Sequence, residues 1–213
     1  VFRQIRNGMS SGVTEFSGGI IIFFFNQAIL RFISEDALVS YTIISYVNTI
    51  VVMSMTGIAQ GSQPLISYYF GKGEPKKYRK LLKYGILSAA VFSVVVTAAC
   101  YTGASGIVGI FLDGENPALS VYSVKVFRIF ILSFLLAGYN VVIGGYFASI
   151  EKAGFATFIS LTRSLIALVG CMMLLIAVLG GEGIWWSPLM AEAVCLVFSL
   201  LMLKRSFAKQ RKN

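Results

Sequence analysis

Three ionisable side chains stand inside long apolar stretches of this chain: Glu15, Arg163 and Glu192. A charge within a membrane-spanning helix is costly, so it faces a bundle interior, a water-filled cavity or a partner of opposite sign. Glu15 lies in the stretch SSGVTEFSGGIIIFFFNQ. At helical spacing Gly8, Gly12, Gly19, Ile22 and Asn26 fall on or near its face, and the opposite face is Ile and Phe. Such a carboxylate can bind a proton or a cation such as Na⁺, or it can be a paired group near a helix end; the residues alone leave both open. Arg163 stands roughly 12 Å along its segment from one end, and Glu192 roughly 18 Å along the next from the same end, at 1.5 Å per residue. An arginine side chain bridges that difference. These two are expected to form a structural ion pair.

Uncharged polar residues mark a second theme. Tyr41, Ser45, Asn48 and Val52 share one helical face, with Gln60 and Gln63 further along. Arg128, Tyr139 and Tyr146 align, with Asn140 beside them. Asn26, Tyr41, Asn48, Tyr139 and Asn140 are the candidates for a cavity that binds substrate or ion. Tyrosine rings attract organic cations. The competing reading is an interfacial belt, which suits Tyr146 better than Tyr139. There is no histidine, which excludes a His metal site and a Ser-His pair. Cys100, Cys171 and Cys195 stand singly in apolar runs and suggest neither a disulfide framework nor a metal knuckle. No metal-ligand spacing, phosphate-binding glycine loop or activated nucleophile is present, so no enzyme and no cofactor is expected.

The elements that hold these residues follow from composition. Of the 213 residues 57% are hydrophobic and 13% charged, with a mean hydropathy of +0.80. Average soluble domains are about 45–50% apolar and about 25% charged. The excess exceeds what a core absorbs and points to an all-α integral membrane protein. Six spans are expected in one bundle covering 1–213, at about 9–32, 37–69, 78–101, 118–149, 155–179 and 184–203. Between the third and fourth a loop is expected over GASG and LDGENP. The second span is long for one crossing, and Pro64 is expected to bend it. In GIAQGSQPLISYYFGKGEPKKYRK, from Gly57 to Lys80, Tyr68 and Tyr69 suit the interface, Gly71 and Gly73 end the helix, and Pro75 opens the next.

Fourteen of the 18 basic residues fall at one end of the bundle: Arg3, Arg6, the Lys72–Lys83 group, Lys152 and the tail from Lys204. Acidic Glu35, Asp36, Asp113, Glu115 and Glu182 lie toward the other. The net charge of +9 thus reads as a topology signal, and no nucleic-acid partner is expected. The same asymmetry predicts a multi-pass membrane protein with both ends of this segment cytoplasmic. The first residue is Val, and VFRQIRNGMSSG lacks the pattern of a signal peptide. A piece of a longer chain is expected.

Three stretches carry a family resemblance. They are GIAQGSQPLISYYFGKGEPKKYRKLLKYGI, GYFASIEKAGFATFISLTRSLI from Gly145, and GEGIWWSPLMAE from Gly181. Their order and character resemble the second half of multidrug and toxic compound extrusion (MATE) transporters. The resemblance covers nearly the whole chain. It implies a six-helix bundle equal to one lobe, helices seven to twelve of a twelve-helix transporter, with an N-terminal six-helix lobe as missing partner. It implies a cation-coupled antiporter, driven by H⁺ or Na⁺, exporting amphipathic cationic drugs and toxic compounds by alternating access. Glu15 matches the seventh-helix carboxylate linked to ion coupling in that family. Where some members carry a second carboxylate on the tenth helix, this chain has Gly138 or Asn140 in LLAGYNVVIGG. Asn140 can still offer a neutral oxygen to Na⁺ or a hydrogen bond to substrate. Two alternatives stay open: a lipid-linked oligosaccharide flippase of the same superfamily, for which Arg128 and Arg163 are the residues of interest, and a non-transporting half-length membrane subunit.

Overall fold

A computed structural model describes residues 18–112 and 116–210. Glu15 lies outside the described residues, as do Asp113 and Glu115. Among the described residues the secondary structure is helical and no strand occurs. The helices are α1 (Gly18–Phe32), α2 (Asp36–Gly71), α3 (Pro75–Thr102), α4 (Ala104–Phe111), α5 (Pro117–Phe130), α6 (Phe134–Ser149), α7 (Ala153–Leu161), α8 (Ala167–Leu179) and α9 (Gly183–Gln210). Four segments are long and apolar enough to cross a membrane: Asp36–Gly71, Pro75–Thr102, Pro117–Ser149 and Ala153–Ala208; α1 is a shorter apolar helix. The fourth segment reverses at Gly180, whose φ of 64° is open to glycine at no steric cost. α8 therefore packs back along α9. In hydrocarbon every backbone amide must bond internally, which is why so apolar a chain resolves into helices.

Local chemistry sets the ends. α2 runs unbroken through Pro64 and stops at Gly71, after which Gly73 turns with φ 69°. Proline opens both α3 and α5, where its missing N–H costs nothing. The Asn116 side chain caps α5 by accepting from the Leu119 N–H at 3.1 Å. The stretch around GASG, expected as loop, is instead the short helix α4. Its Ala104 and Val108 are buried at one-turn spacing while Ile110 is exposed, so packing of a small apolar face outweighs the glycines. The segment expected as one helix over 118–149 contains a 3₁₀ turn at Ile131–Ser133. The next contains a π-helical turn at Thr162–Ile166. Such irregular turns alter which side chains face inward, and π turns recur at functional sites.

Two clusters of buried apolar residues hold the bundle. One gathers Phe25, Tyr41, Phe127, Phe130, Phe134 and Trp185. The other gathers Tyr78, Tyr146, Phe147, Ile150, Ile159 and Cys195 at the end nearest the lysine-rich turn between α2 and α3. Tyr146 is fully buried there, edge-on to Phe147 and Phe207 and tilted against Tyr78, and is not a surface belt residue. Close helix approach depends on small residues. A Cβ on Gly138 of α6 would stand 2.8 Å from Ser93 Oγ and 3.3 Å from Ala89 Cβ of α3. Outside, large apolar side chains are bare: Leu87, Val91 and Val94 of α3 are 61%, 58% and 58% exposed. A soluble domain this small would not leave such a surface in water.

Candidate functional site

A cavity of about 680 Å³ opens between α1, α2, α6, α7, α8 and α9. α2 supplies a polar face. Tyr41, Ser45, Asn48, Thr49, Thr56, Gln60 and Gln63 line the cavity, at the spacings that keep one side of a helix together. The hydroxyls of Thr49 and Thr56 donate to the carbonyls of Ser45 and Val52 on their own helix, which satisfies them without a partner across the gap. α6 faces the cavity with Ala137, Asn140, Val141, Gly144 and Gly145. Gly145 sits at a close approach: a Cβ there would stand 3.1 Å from Gln63 Nε2 and 3.3 Å from Ala59 Cβ.

The chemistry concentrates where α6, α9 and the π turn meet. Arg163 Nε donates to Glu192 Oε1 at 2.7 Å. Asn140 Nδ2 donates to Glu192 Oε2 at 2.7 Å and to the Glu192 carbonyl at 3.0 Å. Ser199 Oγ in turn donates to Asn140 Oδ1 at 3.0 Å. Each oxygen of the carboxylate thus accepts one strong hydrogen bond. The Arg163 and Glu192 side chains are only 18% and 11% exposed. A buried pair with this geometry holds its charge because each partner, and a neutral amide, replaces water. Among the described lining residues Arg163 and Glu192 are the charged ones, so their contribution to the cavity is a net charge of zero.

The structure brings Tyr41, Asn48, Asn140, Arg163 and Glu192 to one cavity. It does not bring Asn26 or Tyr139 there. Asn26 follows Phe25, the residue of α1 that faces the cavity with Gly18 and Ile21. One residue is about 100° of helix rotation, enough to turn Asn26 away. Tyr139 is displaced from Asn140 by the same step. Pro64 lies inside α2, outside the cavity lining and exposed. Reading the sequence missed Ser199, Ser160 and Ser164, and missed that Glu192 serves Asn140 as well as Arg163. A signal existed. Glu192, Cys195, Ser199 and Ser206 repeat at three-, four- and seven-residue steps, a polar stripe along α9. Cys195 donates to the Ile159 carbonyl at 3.7 Å, and Lys152 Nζ donates to Ser206 Oγ at 2.6 Å, so the stripe is used along its length. Cys100 and Cys195 are buried and all three cysteines are free.

Known proteins share this architecture. The MatE family model matches residues 11–173. The multidrug export protein MepA of Staphylococcus aureus strain NCTC 8325 is 27% identical over 149 residues, 69% of this chain and 32% of MepA. MepA of Staphylococcus saprophyticus is 22% identical over 147 residues, again 69% and 32%. The chain thus spans about a third of the length of the curated relatives it matches. Among solved structures, an outward-facing MATE family multidrug resistance transporter of the MOP superfamily superimposes with a TM-score of 0.90 at 18% identity. That match covers 98% of this chain and 47% of the other. An inward-facing structure of such a transporter gives 0.90 at 17% identity, covering 97% and 48%. These likenesses show an all-α membrane fold. With a family model that covers well over half of its residues, this multi-pass membrane chain belongs to the MatE family of multidrug efflux transporters.

Proposed function

We propose that this chain is the C-terminal half of a cation-coupled multidrug exporter working by alternating access, with six crossings and both ends cytoplasmic in the inner membrane. An N-terminal lobe would complete it. The observation that carries the reading is the cavity: about 680 Å³, open, walled by tyrosine, amide and hydroxyl groups on one face and phenylalanine and aliphatic groups on another. That mixture suits amphipathic cations, which need an apolar wall and a polar group to orient against. The equal overlay on outward- and inward-facing transporters, TM-score 0.90 in both, supports a lobe that moves as one body.

In this reading Glu15 takes the coupling ion, H⁺ or Na⁺. Its place in the sequence, three residues before Gly18, continues the spacing of the cavity-facing Gly18, Ile21 and Phe25. Ion and cationic drug compete for one negative charge, because two cations cannot share it cheaply in a low dielectric. Coupling then requires that the ion bind the two access states with different affinity. Tyr41 and Asn48 orient the substrate, while Asn140, its amide fully engaged by Glu192 and Ser199, holds the Glu192 carboxylate in place. The Arg163–Glu192 pair holds α9 against the π turn. A flippase for a pyrophosphate-linked oligosaccharide is less well supported, because the cavity's arginine is already neutralised by Glu192.

The test is efflux of a fluorescent organic cation from cells expressing the complete open reading frame. Glu15→Gln is expected to abolish ion-driven efflux while the protein remains in the membrane. Unchanged efflux in that variant overturns the assignment.

A further inference from the structure

A second cleft, of about 530 Å³, lies between α3, α4 and α5. No residue of α3 or α4 lines the large cavity, so the two do not communicate through these helices. The cleft's polar groups are Tyr101, Ser105, Ser120, Lys125 and Arg128. The Arg128 guanidinium lies over the Tyr101 ring, 5.0 Å from its centre. Its Nε is buried and has no hydrogen-bond partner among the described residues. Lys125 bonds Glu182 at 2.5 Å, so among the described residues Arg128 is the cation of the cleft without an opposite charge.

Depth gives the site its meaning. From Lys83, the last of the basic group, to Tyr101 on the same helix is about eighteen residues, or roughly 27 Å at 1.5 Å per residue. The hydrocarbon layer is about 30 Å thick. Tyr101 and Arg128 therefore stand at headgroup level on the face opposite the lysine-rich turn. Basic residues are scarce there, so a cation retained at that depth calls for an anionic partner. Below the cleft, Leu87, Val91, Val94 and Tyr101 share one face of α3 at four-, three- and seven-residue steps, and all are exposed. An apolar stripe thus runs through the membrane layer and ends at a half-buried arginine whose Nε has no hydrogen-bond partner among the described residues.

We propose that this cleft binds an anionic phospholipid of that leaflet, the outer one in the orientation given above. Arg128 takes the phosphate oxygens through its fork of N–H donors. Ser105 and Ser120 supply hydroxyl donors. One acyl chain lies along the Leu87–Val94 stripe. The lipid would brace α3 against the α4–α5 corner, on the side of the bundle away from the transported substrate.

Native mass spectrometry of the purified protein in detergent tests this, with phosphatidylglycerol and phosphatidylcholine as probes. The protein is expected to retain one phosphatidylglycerol in preference to phosphatidylcholine. Arg128→Gln is expected to weaken that retention about tenfold, the loss of one charge-assisted hydrogen bond. Lys125→Gln, whose side chain is 55% exposed, keeps the test open should Arg128→Gln fail to fold. It is expected to weaken retention measurably but less. Soluble glycerol 3-phosphate is expected not to compete, because it has no chain for the stripe. The proposal is overturned if phosphatidylcholine is held as well as phosphatidylglycerol, if a folded Arg128→Gln retains lipid like the wild type, or, should that variant not fold, if Lys125→Gln does. Full competition by glycerol 3-phosphate also overturns it, in favour of a phosphate-ester site. Lipid retention is read without transport, so either result leaves the exporter reading untouched.

Discussion

Arg163 and Arg128 both stand in membrane-spanning segments, where few charges are tolerated, and their surroundings differ. Arg163 faces a carboxylate held on its second oxygen by Asn140, and the whole group is shielded between α6, α9 and the π turn. Arg128 has an aromatic ring beneath it, a cleft in front and a buried Nε without a partner among the described residues. The first arginine is satisfied by the protein. The second has no such partner among the described residues. An internal charge can therefore serve to join helices or to meet a ligand, and the presence or absence of an opposite charge within reach separates the two uses.

The comparison breaks most visibly at Glu192. Glu192→Gln leaves Arg163 charged, buried and half-partnered. A loss of about 3–5 kcal/mol is expected, the usual consequence of removing one member of a buried pair, read as a large fall in melting temperature in detergent. Arg163→Met combined with Glu192→Leu should recover most of that loss, since two well-packed apolar groups replace an ion pair at little net cost. Failure of the double variant to recover would show that the pair does more than join helices. Asn140→Ala is expected to cost about 1–3 kcal/mol in the same measurement, because Glu192 Oε2 and Ser199 each lose a partner. Arg128→Gln, by contrast, is expected to cost under about 1 kcal/mol in neutral detergent, the scale of one exposed cation–π contact. A larger loss would place Arg128 with Arg163 as a structural group. Glu182→Gln should leave the melting temperature within error, since the Lys125–Glu182 pair is more than half exposed and surface pairs contribute little.

Much of this was legible beforehand in particular residues. The faces of α2 could be read because a helix has one period: Tyr41, Ser45 and Asn48 share a side wherever the helix is placed. The contact of Arg163 with Glu192 could be anticipated from opposite sign and a difference in depth that an arginine side chain can span. Asn26 and Tyr139 misled because sequence reports that a residue is polar and how deep it lies, while its direction depends on the rotation of the whole helix. The 3₁₀ turn at Ile131–Ser133 and the π turn at Thr162–Ile166 shift such rotations part-way along a span, and neither contains a proline or glycine to announce it. Glycines misled at α4 in the opposite sense, by suggesting a loop where a buried face made a helix.

By itself the sequence determined that this protein lives in a bilayer, where its long apolar helices run and at which end its positive charge collects. Those properties are local, set by hydropathy and by the need of each backbone amide to bond within its own segment. Only the tertiary structure decided which polar groups share the cavity, that Glu192 answers to two partners, and that Arg128 answers to none among the described residues. Those facts depend on helix rotation and on contacts across 29 and 52 residues, which packing sets and periodicity does not record.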